Sequence, residues 1–239
     1  NVVPPPVPSG KVYGFWKGYA GSCHMQTPTD TSYWYFAFPG IYPVPSRCHQ
    51  VPADAKNFKQ KILTIGGGPT TWGDKLYEQV RLEVQGSRSI YDEWDGICVD
   101  WEMTGADHTN NGFNAMTAAI KKAGKLMVLT TTAEGPWKIV TPTSGKPKGD
   151  FTTIDWSNID YLVPQLYGGT GAMYVSPELG KYAEWWNNPT TPSIHGATFS
   201  KIDTNKILWG ITPGAEKTVF NPVGGGFITW CADGAGCSN

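Results

Sequence analysis

The chain has 239 residues, 40% of them hydrophobic, and 19 basic against 20 acidic side chains leave a formal net charge of −1. That length fits one large domain or two small ones, and the charge balance supplies no basic face for nucleic acid or an acidic membrane surface. No apolar run approaches the roughly 20 residues of a membrane span, and 29 glycines with 19 prolines point to a turn-rich fold rather than a helical bundle.

The chain opens on NVVPPPVPSG, a polyproline-like stretch. Residues 1–10 are expected to be a Pro-rich segment or linker, and residues 11–239 a single domain. The segment reads either as a linker left after removal of a leader or an upstream module, or as a simple chain boundary.

Short apolar runs then recur: KVYGFW (11–16), SYWYFAF (32–38), KILTIGG (61–67), DGICVDWE (95–102), LMVLTTTA (126–133), DYLVPQLYG (160–168), KILWGIT (206–212) and GGFITWC (225–231). Several are nearly continuous in apolar residues, as strands buried on both faces are. Between them, the spacing predicts a helix over 71–94 after the third run. It predicts another over 110–125 after the fourth, with a glycine near its end as a stop signal. A third is expected in SPELGKYAEWW (176–186), with Ser176 as N-cap and Pro177 at the first helical position. The connections 40–60 and 213–224 are rich in Pro or Gly and are expected to hold little helix. Eight strands alternating with helices or long crossovers predict an α/β fold, a single small (β/α)8 TIM barrel without a large inserted domain. A doubly wound open sheet is the second choice.

Five cysteines, an odd count, predict two disulfides and one free thiol. Cys231 and Cys237 can close a small loop, Cys23 and Cys48 then join two early loops, and Cys98 stays reduced in its strand. A zinc site competes, but the sequence holds no CxxC and no histidine pair at ligand spacing. No metal and no cofactor are expected. The cysteines and the opening segment together lead to the expectation of a secreted, extracellular protein.

Alternation along WDGICVDWE puts Cys98, Asp100 and Glu102 on one face of a strand and Ile97, Val99 and Trp101 on the other. In a barrel the first face points to the axis, and reacting groups sit at the C-terminal ends of the strands. Asp100 and Glu102 are then about 6.6 Å apart by strand rise. Two carboxylates that close do not both ionise cheaply, so one is pushed to a raised pKa and becomes available as an acid. An acidic cluster at a solvated strand end is the plain alternative.

DGICVDWE resembles the DxxDxDxE signature of family 18 glycoside hydrolases, the chitinases and endo-β-N-acetylglucosaminidases. Asp95 and Gly96 match its start; Asp100, Trp101 and Glu102 match its end. TIGG (64–67) is similar to the family's SxGG strand and YFAF (35–38) to its second strand. QLYG (165–168) is similar to the QxY variant of the sixth strand in plant class III chitinases. KILWGIT and GGFITW resemble the seventh and eighth strands. The resemblance spans residues 11–231 in order and implies the same barrel.

It also implies substrate-assisted cleavage with retention of configuration, an exception to two-carboxylate hydrolysis. Glu102 is then the acid that protonates the leaving oxygen. The sugar's own 2-acetamido carbonyl attacks the anomeric carbon to give an oxazolinium ion. Asp100 holds the acetamido N–H, and Tyr167 donates to the acetamido oxygen. Water opens the ring with Glu102 as base. Trp230 is expected as the floor on which the sugar stacks, and Gln165, Trp16 and Trp137 as further substrate contacts. Tyr19, Trp72 and Trp209 also stand near strand ends, where a glycan groove uses aromatic faces. Glu134 and Asp233 are placed along the same cleft, and His24, His49, His108 and His195 in loops.

Asp95 and Cys98 are expected in structural or pKa-tuning roles. Cys98 departs from the family's pattern, standing where the signature has its middle Asp. A buried neutral thiol supplies no negative charge, so Asp100 is expected to stay ionised more of the time. Filling of barrel volume is the alternative role for Cys98.

The leading reading is a monomeric endo-chitinase, cleaving β-1,4 linkages beside N-acetylglucosamine in chitin or a related glycan. The alternatives are an endo-β-N-acetylglucosaminidase on N-glycans, and a chitinase-like lectin or inhibitor that binds without cleaving.

Overall fold

The computed structural model describes residues 6–17, 26–40, 42–68, 70–86, 89–132, 154–165, 203–212 and 225–232. Among them, in chain order, run β1 (Val12–Lys17), β2 (Trp34–Ala37), β3 (Gln60–Gly66), β4 (Thr71–Trp72), α1 (Asp74–Gln85), β5 (Gly96–Trp101), β6 (Met103–Thr104), α2 (Asn110–Lys122), β7 (Leu126–Thr132), β8 (Tyr161–Gln165), β9 (Leu208–Ile211) and β10 (Gly226–Ala232). All strands but β4 and β6 close into one parallel barrel, in the order β1-β2-β3-β5-β7-β8-β9-β10. Each of the eight apolar runs supplies one barrel strand, and the fold is the single TIM-type barrel expected from them.

Alternation sorts the side chains into two layers. Ile62, Cys98, Val128, Val163, Leu208 and Ile228 face the axis with Trp16, Trp34, Phe36 and Phe38. Ile97, Val99 and Trp101 face outward, into a second apolar layer that includes Tyr77 and Val80 of α1 and Phe113, Met116 and Ile120 of α2. A side chain of that size taken fully out of water contributes about 1.5–3 kcal/mol, so both layers hold the strand inventory in place.

The helices form for local reasons. In α1 the buried residues Tyr77, Val80 and Val84 recur at helical spacing. In α2 Thr109 caps the start by accepting from Gly112 N–H, and Phe113, Met116, Thr117 and Ile120 make the buried stripe. Gly124 in the left-handed region (φ 74°) follows the end of α2. The helix predicted over 71–94 is shorter than that. Thr71 and Trp72 instead pair with Met103 and Thr104, and Gly73 and Gly86 bound the helix. The described residues of the connection 40–60 hold two single-turn 3-10 segments, Ser46–Cys48 and Ala53–Ala55. The helix predicted over 176–186 and the connection 213–224 lie outside the described residues.

At the N-terminal ends of two strands the same device recurs. Asp95 accepts from Lys61 N–H at 2.8 Å and pairs with the Lys61 ammonium at 2.7 Å. Asp160 accepts from Met127 N–H at 2.8 Å and pairs with Lys121 at 2.6 Å. Asp100 lies five residue steps beyond Asp95, about 16 Å by strand rise. Asp95 is therefore a strand-anchoring residue at the far end of the barrel, placed for the structural one of its two expected roles. In the Pro-rich segment, Val7 is partly buried against the outer layer. No described helix is long and apolar enough to cross a membrane.

Candidate active site

The site forms where β5 ends. Asp100 is the last inward-facing residue of that strand and is 1% exposed. Glu102 follows directly, between β5 and β6, and is half-buried. Their carboxyl groups hydrogen-bond to each other. From β8, Gln165 donates its side-chain N–H to Asp100 Oδ1 at 3.0 Å and lowers the pKa of Glu102 as well. One amide thus acts on both acids.

The backbone around the acids is set by the turn after β3. Gly66 and Gly67 have φ of 99° and 114°, a region side chains rarely adopt. A Cβ on Gly66 would sit 2.7 Å from the Asp100 carbonyl oxygen, and one on Gly67 would sit 3.5 Å from Asp100 Oδ2. The paired glycines of TIGG let this turn lie directly against the acidic strand end.

Burial pushes Asp100 well above the ordinary carboxylate range, and the Glu102 charge pushes it further; Gln165's N–H pulls the other way. Glu102 is raised as well, first by burial, with hydrogen bonds from Gln165 and Asp100 opposing. The pair holds a proton to higher pH than two exposed carboxylates would. Charge counting along the strand leaves out desolvation, which is the largest influence on Asp100.

Cys98 lies one inward position deeper, fully buried and free. Burial and then the nearby Asp100 raise its pKa, against a smaller opposite pull from Thr64 and the Thr130 backbone, so the thiol is neutral. It fills lumen volume beneath the acids and brings no charge to them. Cys48, by contrast, is disulfide-bonded. Cys23, Cys237 and the side chain of Cys231 lie outside the described residues.

The aromatic expectations divide. Trp230, on β10, is partly buried at the lumen and packs edge-on against Trp16 (5.6 Å between ring centroids) and Phe38 (5.3 Å). Trp16 is 2% exposed and donates its indole N–H inward to Thr64 Oγ1 at 3.1 Å. It packs against Trp230 and exposes little of its own face. Trp72 and Trp209 are buried in the outer layer, not along a groove. Tyr167, Trp137, Tyr19, Glu134, Asp233, His24 and His195 lie outside the described residues. His49 and His108 are in loops, as expected, and His108 is half-buried against Trp101.

The arrangement of a proton-sharing acid pair at the mouth of a parallel barrel, oriented by an amide, is one that can deliver and take back a proton. No family model matches the sequence, and no curated protein does. Three solved structures are similar in backbone. One is the spore cortex-lytic enzyme SleL of Bacillus megaterium QM B1551, at 13% identity and TM-score 0.45, over 87% of this chain but only 52% of that one. A second is an endo-beta-N-acetylglucosaminidase from Cordyceps militaris, at 11% identity and TM-score 0.49, covering 93% of this chain and 82% of that one. A third is a chitinase from Chromobacterium violaceum ATCC 12472, at 14% identity and TM-score 0.47, covering 84% and 68%. Likeness at this level bears on no question of activity.

Two further residues touch the site: Thr64, which its sequence setting does not single out, and Trp72, which that setting places along a groove rather than against Asp100. Thr64, inside TIGG, bridges Trp16 and Cys98. Trp72 donates its indole N–H to the Asp100 carbonyl at 2.9 Å. The run TTW after three glycines is the signal for Trp72, because β-branched and aromatic residues there favour a strand over a helix start.

Proposed function

We propose that this chain is a retaining glycoside hydrolase that cleaves β-1,4 linkages next to N-acetylglucosamine with help from the substrate's own acetamido group, and that it acts as an endo-chitinase. The observation that carries the reading is the hydrogen-bonded Asp100–Glu102 pair held by Gln165 at the C-terminal mouth of the barrel. The match of the surrounding residues to the family 18 signature supports it.

In this reading Glu102, the more exposed acid, carries the pair's proton to the leaving oxygen as the glycosidic bond breaks. The acetamido oxygen closes on the anomeric carbon, and its N–H is held by the Asp100 carboxylate. The positive charge of the oxazolinium ring develops beside that carboxylate in a dry site, where electrostatic stabilisation is strongest. Glu102, now ionised, takes a proton from water as the water opens the ring. Gln165 keeps both carboxyl groups aimed. Trp230 lies under the sugar, and Tyr167 donates to the acetamido oxygen. Secretion goes with this reading, supported by the disulfide at Cys48.

The test is hydrolysis of chitin hexasaccharide by this chain and by Glu102→Gln, with products resolved by mass. The expected result is internal cleavage by the first and none by the second. Equal cleavage by both would remove Glu102 from the reaction. Binding without cleavage by either would make the protein a lectin.

A further inference from the structure

Trp72 touches the acidic segment at two points. Its indole N–H donates to the Asp100 carbonyl at 2.9 Å, beside a longer bond from Gly67 N–H at 3.3 Å. Its backbone pairs with Thr104 in the β4–β6 ladder, and its carbonyl accepts from Gly105 N–H at 2.7 Å. One point of attachment lies two residues before Glu102 and the other two to three residues after it. The ring itself is immobilised. It is fully buried, stacks on Tyr77 (5.8 Å between centroids, 9° between planes) and lies 5.7 Å from the Tyr42 ring.

The arrangement is more than general core packing. Asp100 pairs with Gly66 at the end of the β3–β5 register. The glycine turn then carries the chain away, so Trp72 takes over part of the role that a continuing strand would play for the Asp100 carbonyl. Glu102 has no ladder partner of its own, because it stands between β5 and β6. Among the described residues, its backbone is held through what grips the residues on either side.

We propose that Trp72 is a positioning residue, clamping the segment 100–105 from both sides so that the Asp100 and Glu102 carboxyl groups stay in hydrogen-bond contact. The inference rests on the reading of these two residues as the reacting acids, but the contact is measurable without any turnover. Loss of the indole donor leaves the Asp100 carbonyl with the longer Gly67 bond alone and lets the two carboxyl groups drift apart. Their proton sharing then weakens, and the two titration steps of the pair draw together.

The test is Trp72→Phe, together with replacement of Trp72 by benzothienylalanine, which keeps the bicyclic shape but has sulfur in place of N–H. The second variant serves if the first does not fold. Trp94→Phe is the matched control, since the Trp94 indole also donates to a buried-layer carbonyl, that of Cys48, at 3.1 Å. The readout is the titration of the 13C-labelled side-chain carboxyls of Asp100 and Glu102 by NMR, beside thermal unfolding. The expected result is a separation of the two steps smaller by about one pH unit in the Trp72 variants, with Trp94→Phe unchanged. On a cleaved glycan, kcat falls about tenfold with KM nearly constant. An unchanged titration in the benzothienylalanine protein, or an equal change in Trp94→Phe, would overturn the proposal. If the parent chain cleaves no glycan but the titration moves as described, the clamp stands and the functional reading fails.

Discussion

Gln165 reaches past β7 to donate to Asp100 Oδ1 at 3.0 Å, so β8 and β5 are joined at the mouth of the barrel by one buried amide. The same amide also favours the charged form of Glu102. A carboxyl pair in a dry site needs donors that do not move, and a glutamine locked between two acids provides one.

Gln165→Leu removes that donor at nearly constant volume. Asp100 loses the one influence from Gln165 that lowers its pKa, so the pair is expected to keep its proton to still higher pH. The basic limb of the pH–rate curve should move up, and kcat should fall about tenfold. A curve that superimposes on the parent's would remove Gln165 from the site's electrostatics.

Stability should depend on pH through Asp100. Its folded pKa is raised, so between the ordinary carboxylate value of about 4 and the folded value the native state binds more protons than the unfolded one. Stability from this group is complete below that window and is lost as pH rises through it. Asp100→Asn carries no such charge. The difference in urea midpoint, Asn variant minus parent, is expected to grow in the variant's favour from pH 4 to pH 8. His108, lowered by burial, works in the opposite direction, which is why the difference is the readout. A flat difference contradicts the buried-pair description.

Cys98→Asp places a third acid in a fully buried position beside Asp100. Repulsion is expected to push the pair's protonation to higher pH, with a loss of about 2–4 kcal/mol of stability at neutral pH. Cys98→Ser, neutral and close in size, is expected to leave the pH–rate curve in place. Superimposable curves for all three proteins would show that this position has no electrical contact with the acids.

The barrel is legible in the sequence because eight apolar runs of strand length are separated by turn residues. Alternation along 95–102 also assigns inside and outside correctly, since Cys98 joins the lumen and Ile97, Val99 and Trp101 the outer layer. Exposure is not legible. Trp16 and Trp72 stand near strand ends like a groove aromatic, yet each turns its indole N–H inward to a buried oxygen. Pattern gives a residue's face, whereas the depth of cover depends on neighbours distant in the chain. The same gap explains Asp100, whose protonation follows desolvation by the whole barrel mouth more than the charges of its own strand.

Asp160 and Asp95 anchor strands far from the acids. Asp160→Ala leaves the Met127 N–H without its acceptor and breaks the Lys121 pair, at an expected cost of about 1–3 kcal/mol. Asp95→Asn keeps an acceptor and loses the Lys61 ion pair, at under about 1 kcal/mol. Denaturant midpoints check both. The pH dependence of turnover should be the same in both variants as in the parent. A shifted curve in Asp95→Asn would restore its electrostatic role at the site.

The central claim is that Glu102 and Asp100 act together on a sugar that supplies its own nucleophile. The most direct measurement is the anomeric configuration of the first product released from chitin hexasaccharide, read by proton NMR before mutarotation. The account predicts the β-anomer from the parent chain and no product from Glu102→Gln. Release of the α-anomer would mean direct attack by water and would contradict it.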